Sequence, residues 1–202
     1  MEKKLPLEEM SISDVYVKSQ YVVTYKIPVY QRNYAWEEEQ VTALIKDIYD
    51  SWQKNPLAQY YIGTLVTYKR NDMEYEVIDG QQRLTTTYLI IKALGIKDIK
   101  NKLTYSARST STSTIMRLNE NLELGDEADA GIRNGYGYAK KALETIVLSD
   151  ERDGFQEYFL QQVKLIHYDV PKDVNLNHYF EVMNSRGEQL EKHEIYARPV
   201  SE

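Results

Sequence analysis

Cysteine is absent from the 202-residue sequence, which excludes disulfides and thiolate metal sites. A cytoplasmic location is the default expectation for such a chain. No apolar run approaches the length of a membrane span, and no apolar signal-peptide core follows Met1-Glu2-Lys3-Lys4. We therefore expect a chain with no membrane partner.

The sequence also lacks an excess of positive charge, since its formal net charge is −6. A general basic footprint for nucleic acid is therefore missing. Hydrophobic residues make up 42% and charged residues 28%, as in ordinary globular proteins. Aromatic residues are mostly tyrosine, with 18 Tyr against 3 Phe and 2 Trp. Most of these rings are expected to pack in the core, although tyrosine also offers stacking faces around a polar cleft.

The stretch with the densest chemistry runs from residue 75 to residue 87. A β-branched strand pattern ends at Asp79, and a helical pattern covers residues 82–94 with one buried face. Gly80 allows a sharp turn or close approach to a ligand, and the helix start provides an anion site. Arg83 adds a charged fork suited to phosphate, while Asp79 could hold a metal, position a water or pair with Arg83. The plainer alternative is an Asp-Gly turn beside a surface salt bridge.

Two further segments combine arginine with amide side chains, namely Gln31-Arg32-Asn33 and Asn184-Ser185-Arg186-Gly187. The first lies among aromatic residues, which suits a nucleobase or sugar-phosphate ligand, with a solvated loop as the plainer alternative. The second forms a compact polar turn, for which the plainer alternative is a helix C-cap. Together with the Asp79–Arg83 segment they indicate a cleft for an anionic ligand such as a nucleotide. Neither the Walker spacing nor a G-x-G-x-x-G motif is present, so such a site would be of another kind.

The remaining pattern predicts an α+β fold in three segments, with a core over 1–101, a helical insertion over 102–161, and a return strand with helices over 162–202. A hairpin of 60–68 and 73–78 brings Gly63 and Thr64 near the Asp79 motif, where they can line the cleft. His167 is expected to be a side chain that is either hydrogen-bonded within the protein or exposed to solvent. The other predicted elements are helices at 37–54, from 115, at 136–148, 155–160 and 175–183, a Ser/Thr-rich loop at 105–114, and a strand at 163–170.

Four segments in order resemble the N-terminal domain of GmrSD-type restriction systems, a family related to the ParB/sulfiredoxin fold. The resemblance covers about residues 21–197. It rests on Ile27-Pro28-Val29-Tyr30-Gln31-Arg32-Asn33-Tyr34-Ala35-Trp36, Tyr61-Ile62-Gly63-Thr64-Leu65, Val77-Ile78-Asp79-Gly80-Gln81-Gln82-Arg83-Leu84-Thr85-Thr86, and the stretch from Phe180 to Leu190.

The resemblance implies a ParB/sulfiredoxin-like core, a small mixed sheet with packed helices, and a nucleotide-binding, nucleotide-hydrolysing domain in restriction or phage defence. Asp79 and Arg83 are then the expected catalytic residues, with Mg²⁺ as cofactor and Asp79 as its ligand. The nucleotide contacts are expected to be Gln31, Arg32, Gly63, Thr64, Gly80, Gln81, Gln82, Asn184 and Arg186.

In the fuller proteins of the family that this chain resembles, a C-terminal HNH-type nuclease domain follows, whereas this chain has no His-rich nuclease motif. DNA cleavage by this chain alone is therefore not expected, and DNA would be reached through a missing or separate nuclease domain. The expected partners are a nucleoside triphosphate and a second copy in a homo-oligomer. The alternative is a non-catalytic sensor of nucleotide or modified DNA that regulates a nuclease.

Overall fold

The computed structural model describes residues 7–18, 22–172 and 174 of the chain. The chain divides into residues 1–169 and 170–202, and the second unit is described only at residues 170–172 and 174. The predicted helix at 175–183 and the turn at 184–187 lie outside the described residues. No helix of the described part is long and apolar enough to cross a membrane.

The first unit contains six strands and six helices in its described residues. The strands are β1 (Leu7–Ser11), β2 (Thr24–Ile27), β3 (Tyr60–Asn71), β4 (Glu74–Asp79), β5 (Lys102–Tyr105) and β6 (Val163–Asp169). The helices are α1 (Ile12–Tyr16), α2 (Glu38–Lys54), α3 (Gln81–Ala93), α4 (Ser109–Asn119), α5 (Ala130–Ile146) and α6 (Arg152–Gln161).

The strands form one mixed sheet in the order β1-β6-β3-β4-β2-β5. The pairs β1–β6 and β3–β4 are antiparallel, whereas β6–β3, β4–β2 and β2–β5 are parallel. This confirms the predicted α+β class and the predicted hairpin. Because β4, β2 and β5 run in the same direction, their carboxyl ends meet at one edge of the sheet, where open α/β sheets commonly bind ligands.

Helix α3 is buried on nearly all sides, so the prediction of a single buried face was wrong. Three consecutive threonines, Thr85, Thr86 and Thr87, are fully buried beside its apolar residues. Each hydroxyl has a partner. Thr85 Oγ1 lies 2.7 Å from the Tyr105 hydroxyl, and the other two donate to carbonyl oxygens of α3 itself at 2.9 Å. A polar helix face can be buried here because its hydroxyls are satisfied.

One strand and the starts of two helices differ most from the sequence pattern. Strand β5 was not predicted, since four residues give too short a pattern to recognise. Helix α5 begins six residues before the predicted start at Tyr136. Helix α4 begins at Ser109 rather than Ile115, because Ser113 and Thr114 donate their hydroxyls to the Thr110 carbonyl at 2.9 and 2.8 Å. These bonds within the helix let a Ser/Thr-rich segment remain helical.

The ring of Tyr34 packs against glycine in α5. A Cβ on Gly135 would lie 2.5 Å from Tyr34 Cε1 and 3.0 Å from Leu89 Cδ1. The Tyr34 hydroxyl lies 2.9 Å from Thr86 Oγ1, so the ring cannot move without breaking a buried contact. The space beside Gly135 therefore lets Tyr34 anchor the loop after β2 between α3 and α5.

We predict that Gly135→Ala lowers the free energy of unfolding by about 1–3 kcal/mol, because the added methyl overpacks the Tyr34 contact. Gly137 in the same helix is the matched control, since no described atom lies within 4 Å of where its Cβ would be. Gly137→Ala should raise the free energy by about 0.5–1 kcal/mol through helix propensity. Urea unfolding of both variants checks this, and equal effects would contradict it.

His167 is buried on β6 and satisfied, as expected for a lone strand histidine. Its Nε2 lies 2.7 Å from Thr67 Oγ1, and its ring meets the Tyr75 ring at a centroid distance of 5.8 Å. Burial lowers the pKa of His167 below its ordinary value of 6.5, although Asp169 and Glu8 act in the opposite direction. The folded state therefore resists protonation of this ring more than the unfolded state does.

A pH-dependent loss of stability follows from the lowered pKa. As pH falls through about 6.5, the unfolded chain takes up the proton first, so the free energy of unfolding decreases until pH passes the folded pKa. Wild type should therefore lose stability more steeply between about pH 7 and pH 5 than His167→Gln. Chemical unfolding at several pH values measures both slopes, and identical slopes would rule out a contribution from His167.

Candidate functional site

The backbone of β3 approaches the first residue of the α3 turn very closely. Gly80, the N-cap of α3, has a φ of +90°, and a Cβ there would lie 2.7 Å from the Thr64 carbonyl oxygen. Only glycine fits both constraints. No side chain in the described part of the chain caps this helix start, so its first N–H groups and the positive end of the helix dipole are presented at the sheet edge.

Arg83 lies one turn into α3 and joins the hairpin to the helix. Its Nη2 donates to the Thr64 carbonyl at 2.9 Å and to Asp79 Oδ2 at 3.2 Å. Gly63, at a φ of +116°, leaves room for this side chain, since a Cβ there would lie 3.2 Å from Arg83 Nε. The four residues Gly63, Thr64, Asp79 and Arg83 are therefore neighbours, as the hairpin pattern predicted.

The ion pair between Asp79 and Arg83 is a partly exposed one. The exposed fractions of the side chains are 54% for Asp79 and 31% for Arg83. Such a pair contributes little to stability, because water solvates both charges well. Either group can therefore exchange its partner for a ligand at small energetic cost.

Two of the predicted binding amides hold the loop of residues 28–37 in place. Gln82 Nε2 donates to the Asn33 carbonyl at 3.0 Å, and its Oε1 accepts from the Ala35 N–H at 2.9 Å. Gln31 Nε2 donates to the Ile78 carbonyl at 2.6 Å. These contacts fasten the loop that carries Arg32, an exposed residue, to α3 and β4. A nucleotide contact by Gln31 or Gln82 stays a prediction.

Gln81 is buried, with only 3% of its surface exposed, and its Nε2 has no hydrogen-bond partner among the described residues. Arg83 Nε is a second buried donor of this kind. The Gln81 amide lies near enough to Tyr105 to lower the pKa of that phenol, but burial dominates and raises the pKa of Tyr105 to about 12. A buried donor left unpaired costs about 1–3 kcal/mol.

Arg108, three residues after the end of β5, was not predicted from the sequence. Its Nη1 donates to the Arg32 carbonyl at 3.3 Å, and its Nη2 donates to the Val29 carbonyl at 3.2 Å and to the Gln31 carbonyl. The preceding residue, Ala107, has a left-handed φ of 56°. The only sequence signal for Arg108 was its position after a strand parallel to β2, and that strand was too short to predict.

Carboxylates are sparse at this edge of the sheet. No group of three His, Cys, Asp or Glu side chains that could hold a metal ion occurs in the described part of the chain. Of the predicted site residues, Asp79 alone carries a carboxylate. Any metal bound here would need further ligands from a substrate or water.

Comparison with known families agrees with the arrangement of these segments. The model of the GmrSD restriction endonuclease N-terminal domain matches residues 12–198 of the chain. The chain belongs to this family. The GmrSD N-terminal domain is a module of restriction and phage-defence proteins, which confirms the resemblance drawn from the four motifs. No curated protein matches the sequence.

The matched range covers both the described site residues and the turn at 184–187. Asn184 and Arg186 lie outside the described residues, so their placement at the site stays a prediction. The finer ParB/sulfiredoxin likeness and the segment boundaries at 101 and 161 also stay predictions.

The contacts of Arg108 predict that Arg108→Ala loosens residues 28–36, because three carbonyl oxygens lose their donor. Amide hydrogen exchange in this loop should be faster by about threefold or more. Arg117→Ala is the control, since Arg117 also donates from α4 to a carbonyl oxygen, that of Glu123, at 2.6 Å. Unchanged exchange in Arg108→Ala would mean that Gln31 and Gln82 hold the loop without it.

Proposed function

We propose that this GmrSD N-terminal domain binds a nucleoside triphosphate at the start of α3 and hydrolyses it. The observation that carries the proposal is the start of α3 at Gly80, which no described side chain caps, with the partly exposed guanidinium of Arg83 beside it. Helix N-termini bind phosphate through backbone N–H groups, and arginine supplies a fork for phosphate oxygens. Both donors belong to one short segment, so a single phosphate group can engage them together.

Each predicted residue has a role in this proposal. Arg83 turns part of its fork from Asp79 to a phosphate oxygen while the Thr64 carbonyl keeps the side chain oriented. Gly63 and Gly80 let the phosphates approach the backbone closely. Arg32 adds a second positive charge from the loop, and Gln31 and Gln82 hold that loop in position. Gln81 donates to a nucleotide oxygen, and Asn184 and Arg186 are proposed as further contacts.

Asp79 supplies the carboxylate ligand that Mg²⁺ would use at this site. Mg²⁺ is usually bound by one or two carboxylates together with substrate phosphates and water, and Asp79 is a half-exposed carboxylate beside the proposed phosphate position. When bound, the ion would neutralise phosphate charge. Asp79 also orients the attacking water, and Arg83 stabilises the charge that develops on the transferred phosphoryl group.

A sensor without turnover is the second candidate. It is favoured by the pairing of Asp79 with Arg83 and by the lack of a carboxylate cluster in the described residues. In this alternative the nucleotide-bound domain regulates a nuclease domain, which would supply the contact with DNA. Association of two copies of the chain is proposed for either candidate. The net charge of −6 disfavours strong DNA binding by this domain, because phosphate contacts need clustered Lys and Arg.

Phosphate release with ATP, GTP, CTP and UTP in the presence of Mg²⁺ tests the proposal. Arg83→Ala should reduce turnover by about 100-fold or more, because it removes a donor to the transition state. Asp79→Asn should abolish turnover while binding persists. Arg133→Ala is the matched control, since Arg133 pairs with Asp126 at 3.0 Å and has a similar exposed fraction of 35%.

Three outcomes separate the candidates. Turnover lost in Arg83→Ala but kept in Arg133→Ala supports the hydrolase. A nucleotide-dependent rise in melting temperature without turnover, lost in Arg83→Ala, supports the sensor. Neither turnover nor a rise in melting temperature with wild type would overturn both.

A further inference from the structure

We propose that the cleft between β5 and the start of α4 binds the base and ribose of the nucleotide, an inference that rests on the proposed function. The cleft has a volume of about 470 Å³. This volume lies in the range of small-molecule sites. Its lining includes Tyr105, Ala107, Arg108, Ser109, Thr112 and Met116.

The cleft lies at the sheet edge that carries the proposed phosphate site. Strand β5 is two positions from β4 in the sheet. Two strand spacings of about 4.8 Å separate their ends by roughly 10 Å, which a ribose and its phosphates can bridge. The wall of the cleft is also continuous with α3, because the Tyr105 hydroxyl lies 2.7 Å from Thr85 Oγ1.

The lining is suited to a flat ring with polar edges rather than to phosphate. Met116 is 55% exposed and offers an adaptable thioether surface of the kind that packs well on aromatic rings. The Arg108 guanidinium uses its N–H edges for loop carbonyls, and a guanidinium bonded in this way offers its planar face to a ring. None of the described residues that line the cleft is acidic.

The rim of the cleft is rigid and strained. Thr112 Oγ1 accepts from the Tyr105 N–H and donates to the Tyr105 carbonyl, both at 3.0 Å, which fixes the turn of chain between them. Within that turn Ala107 has a left-handed φ of 56°, a conformation that non-glycine residues adopt at a cost of about 1–2 kcal/mol. Strain that is maintained by surrounding contacts is a frequent property of ligand sites.

Arg108 joins the cleft to the phosphate site. It lines the cleft and at the same time donates to the carbonyls of the loop that carries Gln31 and Arg32. A base held against Arg108 would therefore be next to the loop whose arginine is proposed to meet the phosphates. This connection distinguishes the cleft from the one near Tyr136 and Lys140, whose lining does not include Arg108.

The test compares two probes on the full chain by titration calorimetry: the nucleoside triphosphate that binds wild type, and inorganic tripolyphosphate, which lacks base and ribose. Met116→Ala should weaken nucleotide binding by about threefold to tenfold and leave tripolyphosphate binding unchanged. Arg83→Ala should weaken both. Met73→Ala is the matched control, because Met73 is 59% exposed in the turn between β3 and β4, and it should change neither.

Failure of this inference is distinguishable from failure of the proposed function. If wild type binds neither probe, the proposed function is overturned and the base site with it. If wild type binds nucleotide and Met116→Ala binds it as Met73→Ala does, only the base site is overturned. Equal weakening of both probes by Met116→Ala would also overturn it. If wild type binds nucleotide but not tripolyphosphate, the test uses nucleotide alone. Weaker nucleotide binding by Met116→Ala than by Met73→Ala then supports the base site, and equal binding overturns it.

Discussion

The close approach of the Thr64 carbonyl to the start of α3 is the constraint on which the site depends. This one oxygen excludes any residue but glycine at position 80 and accepts a hydrogen bond from Arg83 at 2.9 Å. It therefore sets both where the helix begins and where its arginine points. Because α3 is buried on nearly all sides, the packing around the helix holds its first residue and Arg83 in these positions.

The loop after β2 is ordered from both of its ends. The amide of Gln82 and the guanidinium of Arg108 bond its backbone, and its own Gln31 side chain donates to the Ile78 carbonyl of β4. Tyr34 anchors it in the space that Gly135 leaves. A loop with so many backbone partners is preorganised, which reduces the entropy that a ligand must remove on binding. Side chains that look like ligand contacts in the sequence can thus act mainly by positioning their neighbours.

The sequence predicted long periodic elements well and short or polar ones poorly. The helix at 38–54, the β3–β4 hairpin and β6 were predicted to within a few residues, because burial of one face imposes a clear period. Strand β5 has only four residues, and the hydroxyls that keep α4 helical also favour loops in other contexts. The buried threonines of α3 could not be predicted, since their partners come from distant elements.

The candidate site was also predicted only in part. The Asp79–Arg83 segment and its neighbours Gly63 and Thr64 were identified from motif and hairpin register. Arg108 was not, because nothing local marks an arginine whose partners lie 76 to 79 residues away in the sequence. Its role arises only from the parallel pairing of β2 with β5.

That pairing has a consequence for the order of folding. Parallel strands far apart in sequence pair slowly, because a long loop must close before any contact rewards it. Residues 24–27 and 102–105 are such strands. The β3–β4 hairpin and α3 can form from local contacts, whereas Arg108 reaches the loop after β2 only once β5 has docked. A nascent chain would thus form its Asp79–Arg83 segment early and complete the candidate site last.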